Sequence, residues 1–291
     1  MKKIRELLKK EKLIIAPGIY DALSAKLVEK TGFNIAYLTS YGISLTLICK
    51  PDIGLITLSE LIMKAKYICE ATKIPIIADG EAGFGNAINI IRLVNNLEDL
   101  GINGVDIQDQ KLPKTYYLNK GKELTPIEEH VKKIKAALKA RKSKDFIIIG
   151  RTEAWDLDEV IKRLKAYSKA GVDMVFPHSK FSLSELEEIA NEVKMPMVIN
   201  YPMIKFKKSK PTIFELKNPF FKIVLFPISG LLAAINAFIN VLNKIKGEGT
   251  DINCDMTPIS YIDELTNRDK FNELERLFLP SIKKTRYTLF Y

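Results

Sequence analysis

In the stretch KIPIIADGEAGFGN (73–86), an oily run ends in Asp79 and Glu81, separated by one glycine, with Gly83 and Gly85 close behind. A turn needs Gly or Asn, not two acids. Two residues apart at a strand end, the acids project to the same side. With Asp52 in KPDIG (50–54), they offer the hard oxygens that suit Mg²⁺, which takes one or two carboxylates plus water and substrate. Gly80, Gly83 and Gly85 would let backbone pass close to a ligand. Arg151 in FIIIGRTEA (146–154) has the planar fork for a substrate carboxylate or phosphonate, or for a structural pair with Glu153. His178 closes DMVFPH (173–178) and is one of two histidines. It suits polarising a carbonyl or binding an anion. His130, mid-helix in EEHVKKIKAAL, reads as a surface residue.

Such groups work only if something aligns them. Eight short apolar runs recur: LIIAPG (13–18), NIAYLTS (34–40), IPIIADG (74–80), GVDIQD (104–109), FIIIGRT (146–152), DMVFPH (173–178), PMVIN (196–200) and KIVLFPI (222–228). Between them lie amphipathic stretches. In DEVIKRLKAYSKAG, Val160, Leu164, Tyr167 and Ala170 give one apolar helical face. Several helices stop at glycine: Gly32, Gly101 and Gly171. Strands alternating with helices predict an α/β fold, a closed parallel (β/α)₈ TIM-type barrel. The working face of such barrels is the C-terminal end of the strands. The polar residues that interrupt the runs fall at those ends: Thr39, Ser40, Asp79, Glu81, Gln108, Asp109, Arg151, Glu153, His178 and Asn200.

The segment between the fourth strand and its helix, Gln110 to Thr125, is long and carries Lys, Pro, Gly and Asn. It reads as a lid, with Lys111, Lys114, Lys120 and Lys122 bringing positive charge over an anionic substrate. Lys and Arg number 45 against 35 Asp and Glu. The excess is scattered over every helix rather than gathered in a stripe, which argues against nucleic acid and for steering of a small anion. No long uncharged apolar run is present to span a membrane. The basic N-terminus MKKIRELLKKEK reads as a short amphipathic helix, not a signal peptide. Three cysteines (Cys49, Cys69, Cys254) without metal-type spacing fit a reduced, cytoplasmic protein. The 291 residues are expected to form one barrel domain, with an N-terminal helix at 1–12 and a C-terminal helical tail at 251–291.

KPDIG, ADGEAGFGN, IQDQKLPKT and IIGRTEA, with PGIYDALSAKLVEKTGF before them and EGT at 248–250, together resemble the isocitrate lyase/phosphoenolpyruvate mutase superfamily. The resemblance implies a Mg²⁺-dependent barrel, with Mn²⁺ as the alternative ion, that makes or breaks a C–C or P–C bond beside a carboxylate through an enolate-like intermediate. It also implies a homotetramer that exchanges C-terminal helices. By position, Asp79 matches the direct metal ligand. Asp52 and Glu81 match acids that hold the metal through water, and Gln108 falls where the family usually has glutamate. Arg151 matches the substrate-carboxylate arginine; Thr39 and Ser40 lie in the substrate-binding segment. Lys114 matches a lid lysine shared by lyases and mutases.

The departures bear on subclass. Lyases of this kind carry a lid cysteine as acid; the aligned segment here is Lys114-Thr-Tyr-Tyr-Leu118, with Tyr116 at the cysteine position. PKT and Phe176-Pro-His-Ser-Lys180 look more like the mutase, whereas VLFPISGLLAAINAFINVLNKIKGEGT leans toward methylisocitrate lyases. The expected function is a Mg²⁺-dependent lyase acting on a small 2-oxo or hydroxy acid, by oxaloacetate-like decarboxylation or methylisocitrate-like cleavage. Arg151, His178, Tyr116 and Lys114 are its candidate catalytic groups. Thr39, Ser40, Arg151 and Asn200 are its candidate substrate ligands, and Asp79, Asp52, Glu81 and Gln108 its metal set. The alternatives are a phosphoenolpyruvate mutase or phosphonopyruvate-type enzyme, and a metabolite-binding barrel that has lost efficient chemistry. Glu81, Gln108 and Tyr116 motivate the last.

Overall fold

The computed structural model describes residues 4–114, 122–205 and 212–280. Eight parallel strands close into a barrel in sequence order: β1 (Ile14–Ile19), β2 (Ala36–Leu38), β3 (Ile76–Asp79), β4 (Gly104–Gln108), β5 (Ile147–Thr152), β6 (Met174–Pro177), β7 (Met197–Asn200) and β8 (Phe221–Phe226). The helices are α1 (Ile4–Lys10), α2 (Ala22–Lys30), α3 (Ser40–Ile48), α4 (Leu58–Ala71), α5 (Ala87–Asp99), α6 (Ile127–Ala140), α7 (Leu157–Ala170), α8 (Leu183–Val193), α9 (Ser229–Glu248), α10 (Ile259–Leu265) and α11 (Arg268–Phe278). Each of the eight apolar runs is thus a strand. The chain divides into two compact units, 1–235 and 236–291; the first holds the barrel, the second the end of α9 with α10 and α11. Among the described residues, no helix is long and apolar enough to cross a membrane.

Local chemistry sets the helix ends. Thr57, Asp21, Asn86 and Ser182 each form a capping box, answering the orphan N–H groups of the first turn. Gly171 ends α7 in the left-handed region (φ 100°). On α7, Val160, Leu164 and Tyr167 are buried, as their spacing predicts.

Alternation along the strands explains how the barrel passes from core to site. Ile77, Ile147, Ile149, Met174, Phe176, Val198, Ile223 and Leu225 form one buried cluster with Ile4 and Leu7 of α1. Two residues further along, the same parity becomes polar: Ile77 leads to Asp79, Ile149 to Arg151, Phe176 to His178 and Val198 to Asn200. The interior is therefore a packed apolar base carrying a polar layer at the C-terminal ends of the strands.

His130 departs from expectation. It is fully buried on α6, its ring tilted against Tyr167 with centroids 4.7 Å apart, not a surface residue. Among the described residues, neither ring nitrogen finds a well-formed hydrogen bond, and burial pushes the imidazole down to about 4. An unfolded chain, with histidine near 6.5, takes up that proton first as pH falls. Stability present above pH 6.5 is therefore lost between 6.5 and about 4, by up to about 3 kcal/mol from this residue. His130→Phe, which keeps the ring contact, should flatten this part of the curve in urea melts between pH 7 and 4. An unchanged slope would rule out a buried neutral imidazole.

Candidate active site

The loop after β3 carries the opening acids on a tightly determined backbone. Glu81 has φ 54°, the left-handed region that non-glycine residues seldom occupy. Its N–H donates to Asp79 Oδ1 at 3.0 Å, and its carbonyl accepts from Gln108 N at 2.9 Å. The nearby glycines serve packing against protein, not the approach of a ligand. A Cβ on Gly80 would stand 2.6 Å from the Asp106 carbonyl oxygen, and one on Gly83 (φ +86°) would stand 1.8 Å from Ile90 Cδ1. Lys133 of α6, buried, donates to Ala82 O and braces the same loop.

Arg151 organises the barrel interior. Its Nε and NH2 hold Glu153 Oε1 (2.7 and 2.5 Å), and NH1 donates to Asp79 Oδ2 and Asp106 Oδ1, each at 3.2 Å. Asp79 Oδ2 also accepts from Ser40 Oγ at 2.9 Å, and Asp106 Oδ2 from Tyr37 OH at 2.8 Å. Thr39 is the N-cap of α3 and is buried beside Ser40. The pairing of Gln108 with Arg151 in register places the β4 end next to the β5 end. Gln108 Nε2 donates to Glu81 Oε2 at 2.9 Å.

Asp52 and Glu81 meet at Lys114, whose Nζ donates to Asp52 Oδ1 (3.0 Å) and Glu81 Oε2 (2.5 Å). The lysine side chain is only 7% exposed, seated between the two acids. Lys122 pairs with buried Glu153, while Lys111 pairs with Glu123 on the surface. Lys120 and Tyr116 lie outside the described residues.

His178 sits between Glu153 (Nδ1 to Oε2, 3.1 Å), Asn200 (Nδ2 to Nε2, 2.9 Å) and Arg151 NH2 (3.2 Å from Nδ1). Burial first, then the Arg151 charge, lowers its pKa, so the ring is neutral at pH 7. With Asn200 donating to Nε2, the ring proton lies on Nδ1 and is donated to Glu153. Arg151 NH2 then keeps an N–H toward His178 that this ring nitrogen cannot accept.

The charges do not balance within the cluster. Asp52, Asp79, Glu81, Asp106 and Glu153 face the cations Lys114, Lys122 and Arg151, two fewer than the carboxylates. Glu153 is held well below the usual carboxylate range: burial works against this, but Arg151 and His178 outweigh it. Asp79 is likewise lowered, against its burial, by Arg151 and Lys114. The surplus falls on the others. Burial and then the Asp79 charge push Glu81 up to about 8 and Asp106 up to about 7. Among the described residues, the buried acceptors Glu81 Oε1 and Asn200 Oδ1 meet no hydrogen-bond partner.

Asp52, Asp79, Glu81, Gln108, Arg151, His178, Asn200, Ser40 and Lys114 are thus linked, directly or through one neighbour, by hydrogen bonds. Tyr37 and Asp106 belong to the same network but are absent from the expected site residues, while Glu153, expected at a strand end and as a partner of Arg151, joins it in that role. Asp106 carries a readable signal, since it lies two residues before Gln108 on the same strand face. Behind the site, Asp109 is fully buried. It accepts from Thr152 Oγ1 (2.7 Å), Glu153 N (2.9 Å), Arg163 NH1 (3.0 Å) and Tyr167 OH (2.6 Å), tying the β4 and β5 ends to α7.

A family model described as phosphoenolpyruvate phosphomutase matches residues 4–246. The chain is 38% identical over 275 residues to 2-methylisocitrate lyase of Aeropyrum pernix, covering 93% of this chain and 85% of that protein. It is 33% identical over 284 residues to 2,3-dimethylmalate lyase of Eubacterium barkeri, covering 94% and 96%. The fold superposes on a phosphonopyruvate hydrolase crystallised with oxalate and Mg²⁺ with a TM-score of 0.85 at 26% identity, covering 96% of this chain and all of that one. The chain belongs to the phosphoenolpyruvate phosphomutase family and is an enzyme of the isocitrate lyase/phosphoenolpyruvate mutase type.

Proposed function

We propose that this enzyme is a Mg²⁺-dependent lyase that breaks a C–C bond, or a P–C bond in the mutase-like alternative, beside the carboxylate of a small 2-oxo or 2-hydroxy acid. The observation that carries the reading is the imbalance at the strand ends, where five linked carboxylates surround one buried guanidinium and two lysines. A divalent cation would displace the protons that Glu81 and Asp106 otherwise hold and cancel the surplus of two negative charges that their ionisation leaves. Among the described residues, no three acid, histidine or cysteine side chains stand ready as a metal cage. Mg²⁺ does not require one, because it keeps waters and takes one or two carboxylates. Asp79 would hold it directly, and Asp52, Glu81 and Gln108 through water; unpartnered Glu81 Oε1 suits an oxygen acceptor toward such a shell. When bound, the ion would supply Lewis-acid polarisation of the substrate's carboxylate and oxo oxygens.

The protein groups supply the rest. The α3 N-terminus at Thr39 and Ser40 offers an electropositive seat for the substrate carboxylate. The spare Arg151 N–H offers a second contact to it, stabilising the enolate oxygen as charge develops. Asn200, oriented by His178, keeps Oδ1 as an acceptor, which fits a substrate hydroxyl. Glu153 fixes both Arg151 and His178, so the donors are set before the substrate arrives. A cytoplasmic homotetramer with exchanged C-terminal helices is part of the same proposal. Ile235, Phe238, Ile239, Leu242 and Ile245 recur at helical spacing and would be buried by exchange.

The test is enolate formation. With Mg²⁺ and pyruvate in deuterated water, methyl protons should exchange, as followed by NMR. A panel of 2-methylisocitrate, 2,3-dimethylmalate, oxaloacetate and phosphonopyruvate should then yield one efficiently cleaved compound. Oxalate binding without exchange or turnover would instead leave a metabolite-binding barrel.

Gln108→Glu provides a sharper check of the metal set. It replaces the amide that donates to Glu81 with a carboxylate facing it. The metal-free protein should lose stability, and Mg²⁺ should bind about tenfold more tightly by calorimetry. Unchanged affinity would place Gln108 outside the metal's surroundings.

A further inference from the structure

Burying an ammonium group is expensive unless carboxylates meet it, and Lys114 meets two. Its Nζ lies 3.0 Å from Asp52 Oδ1 and 2.5 Å from Glu81 Oε2. The stem is seated as well as the charge. A Cβ on Gly54 (φ +78°) would stand 3.4 Å from Lys114 Cδ, so the lysine methylenes lie along the loop that carries Asp52. Its position is therefore fixed by packing at one end and by two acids at the other.

Those acids are two of the residues assigned above to the metal. An oxygen that accepts from an ammonium must release it, or turn away, before facing a divalent ion and its waters, because two cations at that spacing repel strongly in a poorly solvated site. We propose that Lys114 is an internal cation that competes with the divalent ion for Asp52 and Glu81, so that metal binding and release of Lys114 are one coupled event. Lys114 then sets the metal affinity of the site. The coupling is reciprocal: whatever draws Lys114 away from the acids tightens metal binding by the same factor. The inference rests on the metal assignment under the proposed function and adds a competitor to it.

The experiment compares Mg²⁺ titrations by calorimetry for the wild type, Lys114→Met and Lys114→Arg in one buffer. Met keeps a flexible stem over Gly54 and removes the charge, whereas Arg keeps the charge. The Met variant should bind Mg²⁺ at least about tenfold more tightly, and the Arg variant within about threefold of wild type. A second measurement uses the unaltered protein. Brief acetylation with acetic anhydride, read by mass spectrometry, should leave Lys114 protected without metal and label it with saturating Mg²⁺. Wild-type or weaker affinity in a folded Met variant, or Lys114 labelling indifferent to Mg²⁺, would overturn the competition and leave the metal site standing. Absence of Mg²⁺ binding in all three proteins would overturn the metal assignment and the competition together.

Discussion

Asp79→Ala is expected to abolish Mg²⁺ binding and pyruvate proton exchange while leaving the barrel folded. Asp79 ends β3 on the inward face, two residues after Ile77 of the packed base, and cannot turn away without unmaking the strand. Its carboxylate accepts from Ser40, from Arg151 and from the Glu81 N–H, which shapes the turn. Deleting it removes the proposed direct ligand and loosens the backbone that aims Glu81. The fold should survive, because Arg151 retains Asp106 and Glu153, and the change removes one charge from a cluster with a negative surplus. Calorimetric titration with Mg²⁺ beside a thermal melt separates the two effects. An alanine variant that binds Mg²⁺ with wild-type affinity would remove Asp79 from the metal.

How much of this was legible beforehand follows from what periodicity can and cannot encode. Strand parity is local, so the eight strands and their polar C-terminal ends were readable, and with them Asp79, Gln108, Arg151, His178 and Asn200. Partner choice is not local. Arg151 finds Asp79 across 72 residues and Asp106 across 45, and Tyr37 finds Asp106 across 69. A tyrosine inside AYL looks like an ordinary strand residue until the barrel closes, and parity puts the aspartate of GVDIQ on the face of Gln108 without naming its partners. His130 reveals the same limit on the outer layer. It read as a surface residue because Lys and Glu flank it, yet α6 and α7 pack side by side and bury its ring against Tyr167. The lid lysines divide for a related reason. Composition marked Lys111 and Lys114 alike, but Lys111 meets an exposed glutamate while Lys114 enters the acid cluster. Glycine was misread in another way. Gly80 and Gly83 are small because strand β4 and Ile90 press against them, a demand that comes from the protein's own packing.

Arg151 gives the second large expected effect, because one side chain serves both the fold and the site. The guanidinium is buried and is the shared counter-charge of Asp79, Asp106 and Glu153. Arg151→Met removes it and leaves these carboxylates in a poorly solvated interior. Breaking a buried ion pair by deleting one partner typically costs about 3–5 kcal/mol, and here the acids relieve part of the strain by taking up protons. The Met variant should therefore melt well below wild type near pH 8 and recover some stability as the pH falls toward 6. Arg151→Lys separates charge from geometry. An ammonium keeps the positive charge but has no planar fork, and cannot reach Glu153, Asp79 and Asp106 from one rotamer. That variant should fold with a smaller loss, yet bind oxalate about a hundredfold more weakly and lose pyruvate exchange, since misplacement of about 1 Å is enough for such an effect. Melts at two pH values and oxalate titrations in the presence of Mg²⁺ check both variants. If Arg151→Met is as stable as wild type at pH 8, the acids are solvated or protonated without it, and Arg151 is not the organising cation of the barrel. If Arg151→Lys binds oxalate normally, the anion is held elsewhere, and the α3 N-terminus at Ser40 becomes its principal seat.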